Sequence, residues 1–368
     1  MEVVFLNEIC SPKQWKTISS NKLLETGYPI YGANGIIGYY SEYTHENPTI
    51  LITCRGATCG TINISKPKSY VNGNAMALDK LSQKVDLNYL KYILIARGLD
   101  DVISGSAQPQ ITRTNLNKIK IPLPPLKTQQ RVGNILDNAA ALRDKTAQLI
   151  KEYDLLAQSI FLEMFGDPVS NTKGWKVNNI GNICKKIQIG PFGSQLHQSD
   201  YQDLGFSLVN PTDINEGKIK LEGCRKIDED KFNSLPNYHL EKGDVIIARR
   251  GDLSKIAVIR DENLFCGTGS FYIRFNENIN PIFSLYYFTH TTIISKLYEK
   301  ARGITMANLN KSIIKGFDIT IPPINIQNQF AEKIALIEEQ KKLAKQELQE
   351  SKDLFNCLLQ KAFKGELK

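Results

Sequence analysis

Seven cysteines (Cys10, Cys54, Cys59, Cys184, Cys224, Cys266, Cys357) and four histidines are the side chains from which thiol or metal chemistry would be built. The cysteine number is odd, no pair has Cys-x-x-Cys spacing, and the histidines are scattered. Neither a disulfide framework nor a zinc site is expected. Methyl transfer to a base amino group would want a polar residue, two prolines and an aromatic in succession. The two Pro-Pro pairs read Leu123-Pro124-Pro125-Leu126 and Ile321-Pro322-Pro323-Ile324, apolar on both sides. A dinucleotide fingerprint wants three spaced glycines after a strand, whereas Gly267-Thr268-Gly269-Ser270 has two and reads as a turn. A P-loop is absent. Asp228 to Lys231 reads as a solvated charge run, and no Ser, His and Asp, or Cys and His, stand together as a nucleophile set. The expectation is a chain that catalyses nothing by itself and holds no metal or cofactor.

The elements around these residues repeat. Gly105, Ile121, Pro124-Pro125, Gln129 and Phe165 recur 198 positions later as Gly303, Ile319, Pro322-Pro323, Gln327 and Phe363. Arg55-Gly56 matches Arg250-Gly251 at an offset of 195, each closing an apolar run with strand character. Trp15-Lys16 resembles Trp175-Lys176 at an offset of 160, which implies ~35 extra residues early in the second copy. The period is too long for a solenoid, so a whole domain plus tail is duplicated. The 368 residues agree with two domains at ~150 residues each.

Each copy ends in a tail poor in Gly and Pro. In the first, Val132, Ile135, Ala139, Leu142, Thr146, Leu149, Tyr153, Leu156 and Ile160 step by 3 and 4 in alternation, the seam of a coiled coil. The second runs Phe330, Ile334, Ile337, Lys341, Ala344, Leu348, Ser351, Phe355, Leu358, Ala362, with Lys341 and Ser351 weakening the seam. Pro125 and Pro323 stand as start signals. Two partners for these helices stay open: each other within one chain, or other chains in a homodimer or complex. Connectivity favours the first, because helix one leads straight into the second copy. The expected organisation is a domain at 1–125, a helix at 126–165, a domain at 166–323 and a helix at 324–368.

Charge follows that division. Residues 1–125 hold 13 basic and 9 acidic side chains, and residues 166–330 hold 20 and 17. The tails are balanced, with 5 and 5 over 126–165 and 8 and 7 over 331–368. Two basic domains with a neutral spacer suit a polyanion. No stretch approaches the ~20 apolar residues that cross a bilayer, and the N-terminus lacks a signal-peptide pattern, so a cytoplasmic chain with no membrane contact is expected.

Ile119 to Gln130 (IKIPLPPLKTQQ), a long helix ending Met164-Phe165-Gly166-Asp167-Pro168, and the second copy's Phe317 to Ile324 and Gln360 to Leu367 resemble the specificity subunits of Type I restriction–modification systems. Gly32 to Gly38 and Gly190 to Ser194 add to the likeness, which covers essentially the whole chain. The resemblance implies an α+β fold. Two tandem mixed α/β target-recognition domains would be joined by two long helices in an antiparallel intramolecular coiled coil, with a pseudo-twofold internal repeat. It further implies a non-catalytic subunit that binds a bipartite, gapped double-stranded DNA target and docks two methyltransferase subunits. Restriction or translocase subunits would be further partners of that complex. S-adenosylmethionine, ATP and Mg would belong to the partners. A coil of ~60 Å matches ~17 base pairs. An alternative from another class is a two-domain protein-binding scaffold with the coil as a ruler, which the basic domains disfavour.

Under that resemblance the DNA candidates are residues able to read base edges or hold phosphates. In the first copy these are Asn34, Arg55, Ser106, Gln108, Gln110 and Arg113. In the second they are Lys185, Lys186, Gln195, Arg249, Arg250, Arg302, Thr305 and Asn308. A turn-holding or solvated-loop role stands beside each as the other reading.

Overall fold

The computed structural model describes residues 2–33, 35–105, 108–193, 195–301 and 308–367. The chain forms two compact units, one from residues 1–149 with 343–368 and the other from 150–342. Each unit has its own sheets and apolar core.

In the first unit the opening strand Glu2–Phe5 pairs antiparallel with the closing strand Lys120–Leu123, Glu2 opposite Leu123. A helical turn, Leu6–Ile9, leads into a four-stranded sheet ordered Ser11–Gln14, Ala75–Asp79, Ile50–Thr53, Ile62–Ile64. The run Ile50 to Thr53 is buried throughout because both faces of this strand are covered. A three-stranded sheet, ordered Gly35–Tyr40, Tyr28–Gly32, Tyr70–Val71, lies in the same unit.

The second unit uses the same plan. Lys176–Asn179 pairs with Asp318–Ile321, the turn Ile180–Ile183 follows, and a sheet ordered Cys184–Ile189, Ser270–Phe275, Val245–Ala248, Ile256–Val258 matches the first strand for strand. In place of the three-stranded sheet stands a five-stranded one, ordered Tyr201–Gln202, Lys226–Ile227, Phe206–Val209, Leu264–Cys266, His239–Leu240.

This plan corrects the early part of the repeat. Glu2 corresponds to Lys176 and Leu6 to Ile180, an offset of 174 that rises to 195 at Arg55 and Arg250. The second copy therefore carries 21 extra residues, not ~35, and they build the larger sheet. Trp15 and Trp175 are not equivalent. Trp15 follows a strand and donates to Asp79 Oδ2 at 3.2 Å, whereas Trp175 precedes one and donates to the Phe165 carbonyl at 2.8 Å.

The long helices run Leu126–Phe165 and Ile324–Phe363, 40 residues each. In the first unit Arg143 stacks on Phe355, while Val132 lines a cleft with Ala362. In the second, Phe161 and Phe165 pack on Phe330, and Asp154 pairs with Lys341. The helices are thus antiparallel within each unit. No helix among the described residues is long and apolar enough to cross a membrane.

The second helix buries Phe330, Ile334, Ile337, Lys341, Ala344, Ser351, Phe355 and Ala362, with Leu348 and Leu358 half-buried. The first helix differs from the expected seam. Val132 is buried and Ile135, Leu149 and Ile160 are half-buried, but Leu142 and Leu156 are 52% and 46% exposed. Leu136, Ala157 and Phe161 take the buried places instead. The stripe runs on the other side of the line through Val132, Ala139, Thr146 and Tyr153. Steps of 3 then 4 and of 4 then 3 average to the same period, so periodicity alone does not choose the side.

The repeated glutamine fastens each domain to its helix. Gln129 accepts from the Asp86 N–H at 2.9 Å and donates to the Lys84 and Pro124 carbonyls at 3.0 and 2.8 Å. Gln327 accepts from the Asn280 N–H at 2.8 Å and donates to the Asn278 and Pro322 carbonyls at 3.0 and 2.7 Å. Both side chains are buried with all three bonds made.

Candidate nucleic-acid interface

The buried strand Ile50–Thr53 carries the chain to a rim, where Cys54 is still buried and Arg55 is exposed. Gly56 turns the chain away at φ +89°, a conformation that favours glycine. Here a second segment arrives. Gly56 N–H donates to the Pro109 carbonyl at 3.2 Å, Ile111 N–H donates to the Cys54 carbonyl at 3.0 Å, and Arg55 faces Gln110 across an antiparallel bridge. Gln108 and Gln110 are exposed. Arg113 is also exposed and opens the helical turn Arg113–Leu116, which Thr112 caps by accepting from the Asn115 N–H at 3.2 Å. Thr53 Oγ1 donates to the Ala33 carbonyl, which ties the hairpin turn between Tyr28–Gly32 and Gly35–Tyr40 to this rim. Asn34 and Ser106 lie outside the described residues.

The second unit repeats the construction. Strand Val245–Ala248 ends at Arg249 and exposed Arg250, and Gly251 turns at φ +70°. Arg250 faces Asn308 across the corresponding bridge, and Leu309 N–H donates to the Arg249 carbonyl at 2.9 Å. Arg250 and Asn308 occupy the places of Arg55 and Gln110. Arg249 is buried, and its Nη2 donates to Asn308 Oδ1 at 3.2 Å. Burial, followed by the like charge of Arg250, pulls its pKa down. Arg302 and Thr305 lie outside the described residues.

The remaining candidates of this unit are tied to other neighbours. Exposed Lys185 pairs with Glu277 at 3.4 Å. Lys186 is half-buried, with Nζ 3.5 Å from Asn237 Oδ1, and burial, then Arg274, pulls its pKa down. Gln195 Oε1 accepts from the Tyr238 hydroxyl at 2.6 Å. Gly267 to Gly269 is the expected turn, packed under Gly190.

Two participants escaped the sequence reading. Phe192 places its ring 5.3 Å from the Arg249 guanidinium carbon. The Gly190 to Ser194 motif was the available signal for it. Arg274 holds buried Asp244 through Nε and Nη2, both at 2.8 Å. A lone arginine in the strand Ser270–Phe275 carries no sequence signal of that partner.

Each rim thus presents an exposed guanidinium beside a side-chain amide on a neighbouring segment. Guanidinium supplies donors only, and an amide supplies both donor and acceptor, which is the repertoire that reads base edges and phosphates. Among the described residues, no group of three or more His, Cys, Asp or Glu is placed to hold a metal ion.

Comparison with known proteins agrees with this plan. The family model for the Type I restriction modification DNA specificity domain matches residues 1–152 and 172–352. The Type I restriction enzyme MjaVIII specificity subunit of Methanocaldococcus jannaschii is 23% identical, over 91% of this chain and 86% of its own length. A putative type I restriction enzyme specificity subunit of Haemophilus influenzae is 25% identical, over 85% of this chain and 81% of its own. The fold resembles the crystal structure of the Type-I restriction–modification S subunit from M. genitalium, with TM-score 0.64, 16% identity, and coverage of 98% of this chain and 96% of that one.

Proposed function

The chain belongs to the Type I restriction–modification DNA specificity family, and from that membership we propose that it reads a bipartite, gapped sequence in double-stranded DNA. It is a non-catalytic, DNA-recognising component of such a system, and methylation and cleavage chemistry belong to other subunits with their cofactors. The observation that carries the finer reading is the repeated rim. Arg55 with Gln110 and Arg250 with Asn308 are equivalent pairs whose loops share Gly105 and Gly303 but differ between them, Ser106 to Pro109 against Ile304 to Ala307. Equivalent placement on unlike loops is what two readers of two different half-sites require. In this reading the domains comprise residues 1–125 and 166–323, and the helices 126–165 and 324–368 set the gap. The duplicated plan fits two modification subunits docking on one chain, as symmetric readers mirror symmetric sites, with restriction subunits as further partners.

The test is to assemble the chain with its modification subunit and map methylation across a genome. An adenine motif in two parts with a fixed gap is expected. A contiguous motif would sink the two-reader reading.

A further inference from the structure

Arg249 is only 5% exposed, yet its surroundings leave it largely unsatisfied. Nη2 has Asn308 Oδ1, but Nε and Nη1 have no acceptor among the described residues. A buried guanidinium without an acid beside it is costly. Arg274 in the same unit shows the satisfied alternative, with both oxygens of Asp244 at 2.8 Å and Glu241 at 2.5 Å. Around Arg249 the polar surface is unfinished elsewhere too. Ser270 Oγ is buried without a partner among the described residues, and Ser270 follows Gly269, whose carbonyl accepts from the Arg249 N–H at 2.9 Å.

The fold does not require an arginine here. The equivalent position of the first unit is Cys54, whose thiol meets Gln14 Nε2 at 2.9 Å and the Asn74 carbonyl at 3.2 Å. What covers Arg249 is also out of the ordinary for a core residue. Phe192 lies against the guanidinium while remaining 53% exposed. Its turn is anchored from below. Gly190 N–H donates to the Ser270 carbonyl at 3.0 Å, and a Cβ on Gly190 would stand 1.9 Å from the Gly267 oxygen.

We infer that Arg249 is a specificity-determining residue of the second half-site, one of its free donors and the second Nη2 hydrogen taking the O6/N7 edge of a guanine once Phe192 moves off the guanidinium. The inference rests on the reading of the chain as a two-site DNA reader. A base edge fits better than a phosphate for two reasons. Phosphates lie outermost on a duplex, and a guanidinium only 5% exposed beneath Phe192 does not stand out to meet them. A guanidinium oriented by Asn308 and fixed by its buried backbone can refuse a base that offers no acceptors in the right place.

The assembled methylation complex tests this with Arg249→Lys, Arg249→Ala and Phe192→Ala. In the wild-type complex, 7-deazaguanine at one position of one half-site should weaken binding roughly ten- to hundred-fold. Both Arg249 variants should relax that position alone, leave the other half-site intact, and lose the penalty for 7-deazaguanine. Phe192→Ala, which removes only the cover, should keep the preference. Uniform weakening on all sequences with a shallower salt dependence would identify a phosphate contact and overturn the inference. So would unchanged specificity with lower thermal stability in Arg249→Lys, or relaxation of the same position by Phe192→Ala. A wild-type complex that binds no gapped DNA would overturn the two-site reading and this inference together. A wild type that binds while Arg249→Lys behaves identically overturns the inference alone.

Discussion

Arg55 stands opposite Gln110 across an antiparallel bridge that joins segments 55 residues apart in the chain. The same relationship holds between Arg250 and Asn308 in the second unit. Replacing either member of one pair by alanine should affect one half-site only, by roughly 1–3 kcal/mol for a lost base contact. Methylation mapping of assembled complexes checks this. Arg55→Ala and Gln110→Ala should relax one end of the motif and Asn308→Ala the other. A change at both ends from a single substitution would argue against separate readers.

Gln129 and Gln327 each close three buried hydrogen bonds between a domain and its helix. Gln129→Leu or Gln327→Leu keeps the volume but strands two carbonyls and one N–H. Each should cost about 3 kcal/mol or more, since buried unpaired groups carry their full desolvation penalty. Urea unfolding measures it, and a loss below ~1 kcal/mol would mean that water replaces the amide.

Arg274 neutralises Asp244, whose side chain is fully buried. The hydrogen bond to Asp244 raises the Arg274 pKa, so the guanidinium stays charged. Arg274→Ala leaves that carboxylate uncompensated and should destabilise the second unit by about 3–5 kcal/mol. The double variant Arg274→Met with Asp244→Leu should recover much of the loss in the same unfolding measurement.

Lys341 sits buried on the helix seam and reaches Asp154, which is itself half exposed. Lys341→Leu should therefore be neutral or stabilising, because it removes a buried ammonium and leaves Asp154 to water. A loss above about 2 kcal/mol on thermal unfolding would show that the pair holds the helices together.

Burial pushes the Cys10 thiol up to about 12, and the charge of Asp79 adds to it. The fold therefore keeps this proton while an unfolded thiol loses it. Its contribution to stability is fully present below about pH 9 and is lost as pH rises toward 12. Urea titrations between pH 8 and 11 should show falling stability, less steep in Cys10→Ala. An identical slope in the two would assign the alkaline loss to other groups. At neutral pH an alkylating reagent should mark exposed Cys357 well before buried Cys10, Cys54 or Cys266.

The residue types and their order showed no local catalytic motif, placed the duplication, and located both long helices from proline punctuation and a Gly- and Pro-poor run. These are local or periodic properties, written in consecutive residues. Tertiary structure alone decided which side of the first helix is buried. There the pattern allowed two stripes, and the packing surface chose Leu136 and Ala157 over Leu142 and Leu156. It also decided which arginine is a surface group and which a buried one, because Arg249 and Arg250 are neighbours just past the strand Val245–Ala248, where no strand alternation assigns their sides. Partners such as Gln110 for Arg55 and Asp244 for Arg274 were beyond the sequence for the same reason. Strand pairing brings together residues 30 or more positions apart, and no spacing rule in the chain specifies that closure.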